Sequence, residues 1–98
     1  MPERTYRRPT PLAVFDGKLL PFIQAAYLEW VSGLDVAPIM ENFNIRVNRD
    51  VQGGVRVLFH AKRQPDEIGL KGGRCKNGQD IEFRVNSELK VIGYSFFK

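Results

Sequence analysis

Few residues in this chain have the types and spacing that chemistry requires. There is one histidine, His60, and one cysteine, Cys75. Nucleophilic catalysis would need the thiol or a serine within hydrogen-bond reach of the imidazole, and nothing in the spacing brings such a pair together. Cys75 stands between Arg74 and Lys76. Neighbouring cations favour a thiolate, so the residue reads as an oxidant-sensitive or simply free surface thiol. Asp66 and Glu67 lie beside a turn, as a solvated edge rather than a metal cage. A closed zinc site wants four ligands, more than one His and one Cys supply. Gly72 and Gly73, between Lys71 and Arg74, have the composition of a phosphate cradle. A P-loop also needs its Lys-Ser/Thr ending and a following helix, and both are missing. The residues therefore predict no enzyme, no metal and no cofactor.

Basic residues carry more weight. Lys62, Arg63, Lys71, Arg74 and Lys76 crowd one stretch, while Arg46, Arg56 and Arg84 fall on the polar positions of alternating segments. A basic sheet face interleaved with aromatics is a platform for single-stranded nucleic acid. The aromatic pattern of an RNA-recognition motif does not accompany it.

The elements that must position these residues follow from length and periodicity. Ninety-eight residues with a net charge of +4 and 43% hydrophobic content form one domain with one small core. One cysteine excludes a disulfide framework. No apolar run reaches the ~20 residues of a membrane span, and the charged N-terminus lacks the apolar region of a secretory signal. A cytoplasmic protein is expected. Residues 1–17 read as a basic, proline-containing arm, with Pro2, Pro9, Pro11, Arg4, Arg7 and Arg8. Residues 18–98 form the domain. Ile23, Ala26, Tyr27, Trp30, Val31 and Leu34 recur at helical spacing, which predicts a helix over about 19–33 with Pro21 in its first turn and Gly33 at its end.

The rest alternates with period two. Phe43, Ile45 and Val47 oppose Asn44, Arg46 and Asn48. After turn residues at 50–54, Val55, Val57, Phe59 and Ala61 oppose Arg56, Leu58 and His60, completing a hairpin. Ile68 and Leu70 suggest a short strand. Asn77 and Gly78 suggest a two-residue turn. Ile81, Phe83 and Val85 alternate again, and residues 89–97 read as a strand apolar on both faces, hence buried between layers or at a subunit interface. The expected fold class is α+β, an N-terminal helix followed by a small, mostly antiparallel β-sandwich or barrel.

Three collinear blocks resemble a known family. The run from Pro21 through Phe22, Ile23, Ala26 and Tyr27 to Glu29 and Trp30, with Pro38 beyond it, is similar to the opening helix of the stringent starvation protein B family, adaptors of the ClpXP protease. Val57, Leu58, Phe59, Ala61 and Arg63 resemble that family's Val-Leu strand end followed by alanine and arginine. Gly78, Val85 and Tyr94 match a third block in order. The resemblance implies a Sm-like sandwich that homodimerises through its helix, by Ala26, Tyr27, Trp30 and Val31. It implies that a degradation-tag peptide, or the protein bearing it, lies extended beside Val57, Leu58, Phe59, Ala61 and Arg63. It names ClpX, or a host adaptor, as further partners. Lys62 stands where the family has a proline, the stretch 70–78 is shorter, and this chain is basic where the family is acidic. The sequence ends at Lys98, where family members continue into a ClpX-docking tail, so a core without its tail is expected. The alternatives are a small basic barrel that binds single-stranded nucleic acid, or an inhibitor or immunity-type protein of a phage or mobile element.

Overall fold

A computed structural model of the chain describes residues 13–67 and 74–96. A 3-10 turn at Gly17–Leu19, opened by Asp16 accepting the Lys18 N–H at 3.1 Å, leads into helix α1, Leu20–Ser32. Pro21 occupies the first turn, where its missing N–H leaves nothing unpaired. Gly33 ends the helix, its N–H turned back to the Trp30 carbonyl. These limits agree with the expected 19–33.

The strands are β1 (Phe43–Arg49), β2 (Val55–Ala61), β3 (Arg74–Cys75), β4 (Gly78–Gln79), β5 (Ile81–Val85) and β6 (Val91–Phe96). β1, β2, β5 and β6 lie in that order in a four-stranded antiparallel sheet, and β3 and β4 form a separate two-stranded ladder. The α+β class follows directly: one helix against one antiparallel sheet. The β1–β2 hairpin has the expected register, Phe43 opposite Ala61 and Arg49 opposite Val55.

Period two puts Val57, Phe59, Ala61, Ile81, Phe83 and Val85 on one face, where they are buried under α1. Ala26 is fully buried at the contact. Trp30 stacks on Phe59 at 4.6 Å between ring centroids and meets Phe43 edge-on at 5.0 Å. These rings are the centre of the core, because large aromatic surfaces contribute most of the apolar burial in a domain this small.

Three turns differ from or refine the sequence reading. The β1–β2 turn is closed by hydrogen bonds from the Asp50 N–H to the Gly54 carbonyl and from the Gly53 N–H to the Asp50 carbonyl, both 3.1 Å. Gly54 has φ +78°, and a Cβ there would lie 2.1 Å from the Val85 carbonyl oxygen, so only glycine fits. The β3–β4 turn is centred on Lys76 and Asn77 rather than Asn77 and Gly78, since Cys75 pairs with Gly78. Gly78 then takes a φ of +140° beside the Phe43 ring. Leu89 belongs to a turn, not to the last strand. It has φ +66°, in a loop where the Asn86 side chain accepts the N–H groups of Glu88 and Lys90 at 3.0 and 2.9 Å.

The last strand also differs. β6 is an edge strand with Ile92, Tyr94 and Phe96 exposed, not a strand covered on both faces. Helix α1 packs across β2 and β5 and reaches β6 with its C-terminal end, leaving Tyr94 and Phe96 exposed. The shift in pairing between Arg84 and Val85 makes Ile92 the extra residue of a bulge, which accounts for apolar residues on both sides. The expected strand at Ile68 and Leu70, the glycines at 72 and 73, Lys71 and most of the N-terminal arm lie outside the described residues.

Candidate binding site

The sheet has two unlike faces. On the face away from α1, cross-strand rows run Asn44–His60–Asp80, then Arg46–Leu58–Glu82–Ser95, then Asn48–Arg56–Arg84–Gly93. Leu58, only 9% exposed, is the apolar centre of this polar face. Asp50, buried at the hairpin turn, organises the last row. It accepts Arg84 Nε at 3.1 Å and lies 3.5 Å from Arg56 Nε, and Arg56 also reaches Glu82 at 3.6 Å. Burial pushes the Asp50 carboxyl up, but the Arg84 hydrogen bond, the Gln52 N–H and the charges of Arg84 and Arg56 outweigh it and hold it below the ordinary carboxylate value. Arg84 also donates to the Gln52 side chain at 2.9 Å. Two of the arginines expected to form a cationic surface are thus neutralised, and Arg46 and Arg49 remain exposed on edge strand β1.

His60 has a partner that its position in the chain does not announce. Its Nδ1 lies 2.6 Å from Asp80 Oδ2, while Asp80 Oδ1 accepts the Ala61 N–H at 2.9 Å. Arg63 approaches the same carboxylate at 4.0 Å. The buried carboxylate ties β2 to the start of β5. Cys75 donates to the Lys62 carbonyl at 3.5 Å, just beyond the end of β2. Asp66 pairs with Lys76 Nζ, and Glu67 accepts the Gln64 and Lys76 N–H groups at 2.9 and 2.8 Å. Both carboxylates are therefore loop ties. No group of three or more metal-ligating side chains occurs among the described residues.

The helix side carries the concave site. Where the end of α1 meets β6, a cleft of about 310 Å³ opens between Trp30, Leu34, Phe83, Tyr94 and Phe96, lined also by Glu29. Trp30, Leu34 and Phe96 also line a second hollow of about 450 Å³ that continues past Pro38 and Ile39 to the β3–β4 turn. The two make one groove. Its wall is unusually exposed for aromatic surface: Tyr94 is 64% and Phe96 50% accessible. Their rings meet edge-on at 5.7 Å, and Tyr94 lies 6.0 Å from Phe83.

The residues implied by the resemblance fall elsewhere. Val57, Phe59 and Ala61 have no exposed surface and sit beneath Trp30, and both edges of β2 are occupied, by β1 and β5. Leu58 faces the polar side, and Arg63 lies by Asp80. Of the helix residues, Ala26 is core, Trp30 is stacked between helix and sheet, and Tyr27 and Val31 are half-buried. The exposed apolar residues of α1 are Leu20 and Leu28. The sequence places Tyr94 with Ile92 and Phe96 on one apolar face of the last strand and within the third block, not at a binding site. The signal for the groove was present in the apolar run 91–96, whose exposure depends on the length of α1 and the strand order. No family model, curated protein or solved structure matches the chain.

Proposed function

We propose that this chain is a non-enzymatic peptide-binding domain of the ClpXP-adaptor type, and that its peptide lies extended along β6 in the α1–β6 groove. One observation carries this reading. Among the described residues β6 is an open edge of six residues without a charge, and its helix-side residues Tyr94 and Phe96 run directly into the groove. Natural edge strands are usually blunted by charge, as β1 is by Arg46 and Arg49. An uncharged edge beside a groove suits a ligand that adds a strand, with main-chain bonds giving affinity and pockets giving selectivity. On this reading the ligand is a degradation-tag peptide or the protein bearing it, and the chain either presents it to ClpX or engages a host adaptor. The sheet would be one layer of a Sm-like sandwich, with the separate β3–β4 ladder as the start of the second. Homodimerisation would use the outer side of α1, where Leu28 is exposed between half-buried Tyr27 and Val31.

The test is a titration of labelled degradation-tag peptide and of labelled single-stranded DNA and RNA, each across a salt series. Saturable peptide binding that Tyr94→Ala removes supports the reading. Nucleic-acid binding that falls steeply with salt would instead support the basic-barrel reading. That reading has less to rest on, because Arg56 and Arg84 are paired and Phe43, Phe59 and Phe83 are buried on the opposite face of the sheet. If neither ligand binds, an inhibitor-type protein with a protein partner becomes the leading explanation.

A further inference from the structure

The groove is apolar where α1 meets β6, has Glu29 at that end, and is polar at the far end, lined by Asn42, Lys76, Asn77 and Gln79. Glu29 lines it together with Trp30 and Tyr94. The same residue lies in the last turn of α1, which holds no basic residue. A helix C-terminus bears the negative end of the backbone dipole, where cations are stabilised and carboxylates are not. Glu29 therefore adds negative charge to an end that already carries it. Its carboxylate has no ion-pair partner among the described residues. The wall opposite is made of Tyr94 and Phe96, edge to face, with Phe83 behind. The faces of such rings attract a cation held within ~6 Å of the centroid.

Carboxylate, helix terminus and aromatic rings all favour the same ligand charge. A neutral or acidic group covering this end would desolvate Glu29 without compensating it. A long aliphatic stem ending in a cation would fill the apolar cleft and place its charge against Glu29. We propose that the groove selects an extended peptide that places a lysine or arginine side chain at Glu29, with apolar residues on either side of it. This rests on the peptide-binding reading above and names the side chain that reading leaves open.

The experiment uses the full chain and labelled ten-residue peptides of alanine, serine and leucine that differ only at one central position, lysine, norleucine or glutamate. Fluorescence anisotropy gives each affinity at low and high salt. The lysine peptide should bind about ten-fold more tightly than the norleucine peptide, most of it from the Glu29 carboxylate and a smaller part from the rings, and the glutamate peptide should bind least. High salt should narrow the lysine advantage. Glu29→Gln should bring lysine and norleucine to within about two-fold, by weakening lysine and by relieving the cost of covering an unpaired carboxylate with norleucine. Because Glu29 is exposed, its thermal melt should match that of the unaltered chain, which separates recognition from folding. Norleucine binding as tightly as lysine, or a lysine preference that survives Glu29→Gln, overturns the proposal and leaves the peptide reading intact. If none of the three peptides nor the tag peptide binds, both fall. Dimers that Tyr94→Ala converts to monomers in sedimentation would assign the groove to a second copy and also overturn it.

Discussion

Asp50 and Asp80 show how much a single carboxylate does in so small a domain. Asp50 is held below its ordinary pKa, so its folded-state contribution is complete above about pH 4 and is lost as pH falls further through the depressed value. Asp50→Asn should therefore lower stability at neutral pH and flatten the acid limb of the unfolding curve, read by circular dichroism between pH 2 and 7. Asp80 joins strands through the Ala61 N–H and His60. Asp80→Ala leaves a buried N–H unpaired and should cost about 2–3 kcal/mol in urea unfolding; a cost under ~0.5 kcal/mol would show that water replaces the carboxylate. Neither role was legible in the sequence. Asp50 reads there as a turn former, and Asp80 lies outside both alternating runs and twenty residues from its histidine. His60, half-buried on the polar face of β2, is held by the buried Asp80 carboxylate.

At the scale of elements, periodicity was a good guide wherever one face is buried and the other wet. The helix limits, the β1–β2 hairpin and β5 are all readable from spacing, because burial under Trp30 enforces the pattern. β6 was misjudged for a physical reason. Apolar residues on both faces usually mean burial, but here a bulge at Ile92 and a helix that meets β6 only at its end produce the same pattern in an exposed strand. The segment resembling the adaptor groove, Val57 to Ala61, lies instead in a central strand, a placement that only strand order determines. Gly54 tests the geometry of the hairpin turn. Gly54→Ala combines a left-handed φ with a collision at the Val85 carbonyl and should destabilise by about 3 kcal/mol or more, measured as a drop in the urea midpoint. Tyr94→Ala, at an exposed site, should cost no more than about 1 kcal/mol. That contrast makes it a usable probe of the groove.

Across the whole molecule, the net charge of +4 comes from residues outside the described ones, since the described residues hold ten Lys and Arg against ten Asp and Glu. Arg46 and Arg49 are exposed at the β1 edge, while the groove has Glu29 at the α1 end and Lys76, paired with Asp66, at the other. A formal net charge therefore misrepresents what the groove offers a ligand. If α1 forms the dimer contact, Leu28→Glu should convert dimers to monomers at tens of micromolar in sedimentation and leave the melt unchanged, since Leu28 is 66% exposed. The central claim, that the open β6 edge and its groove bind an extended peptide, is tested most directly by anisotropy titration of a labelled tag peptide against the unaltered chain and Tyr94→Ala. Saturable binding weakened about ten-fold or more by a fully folded Tyr94→Ala is the predicted result. Equal binding by the two proteins, or no binding by either, would contradict it.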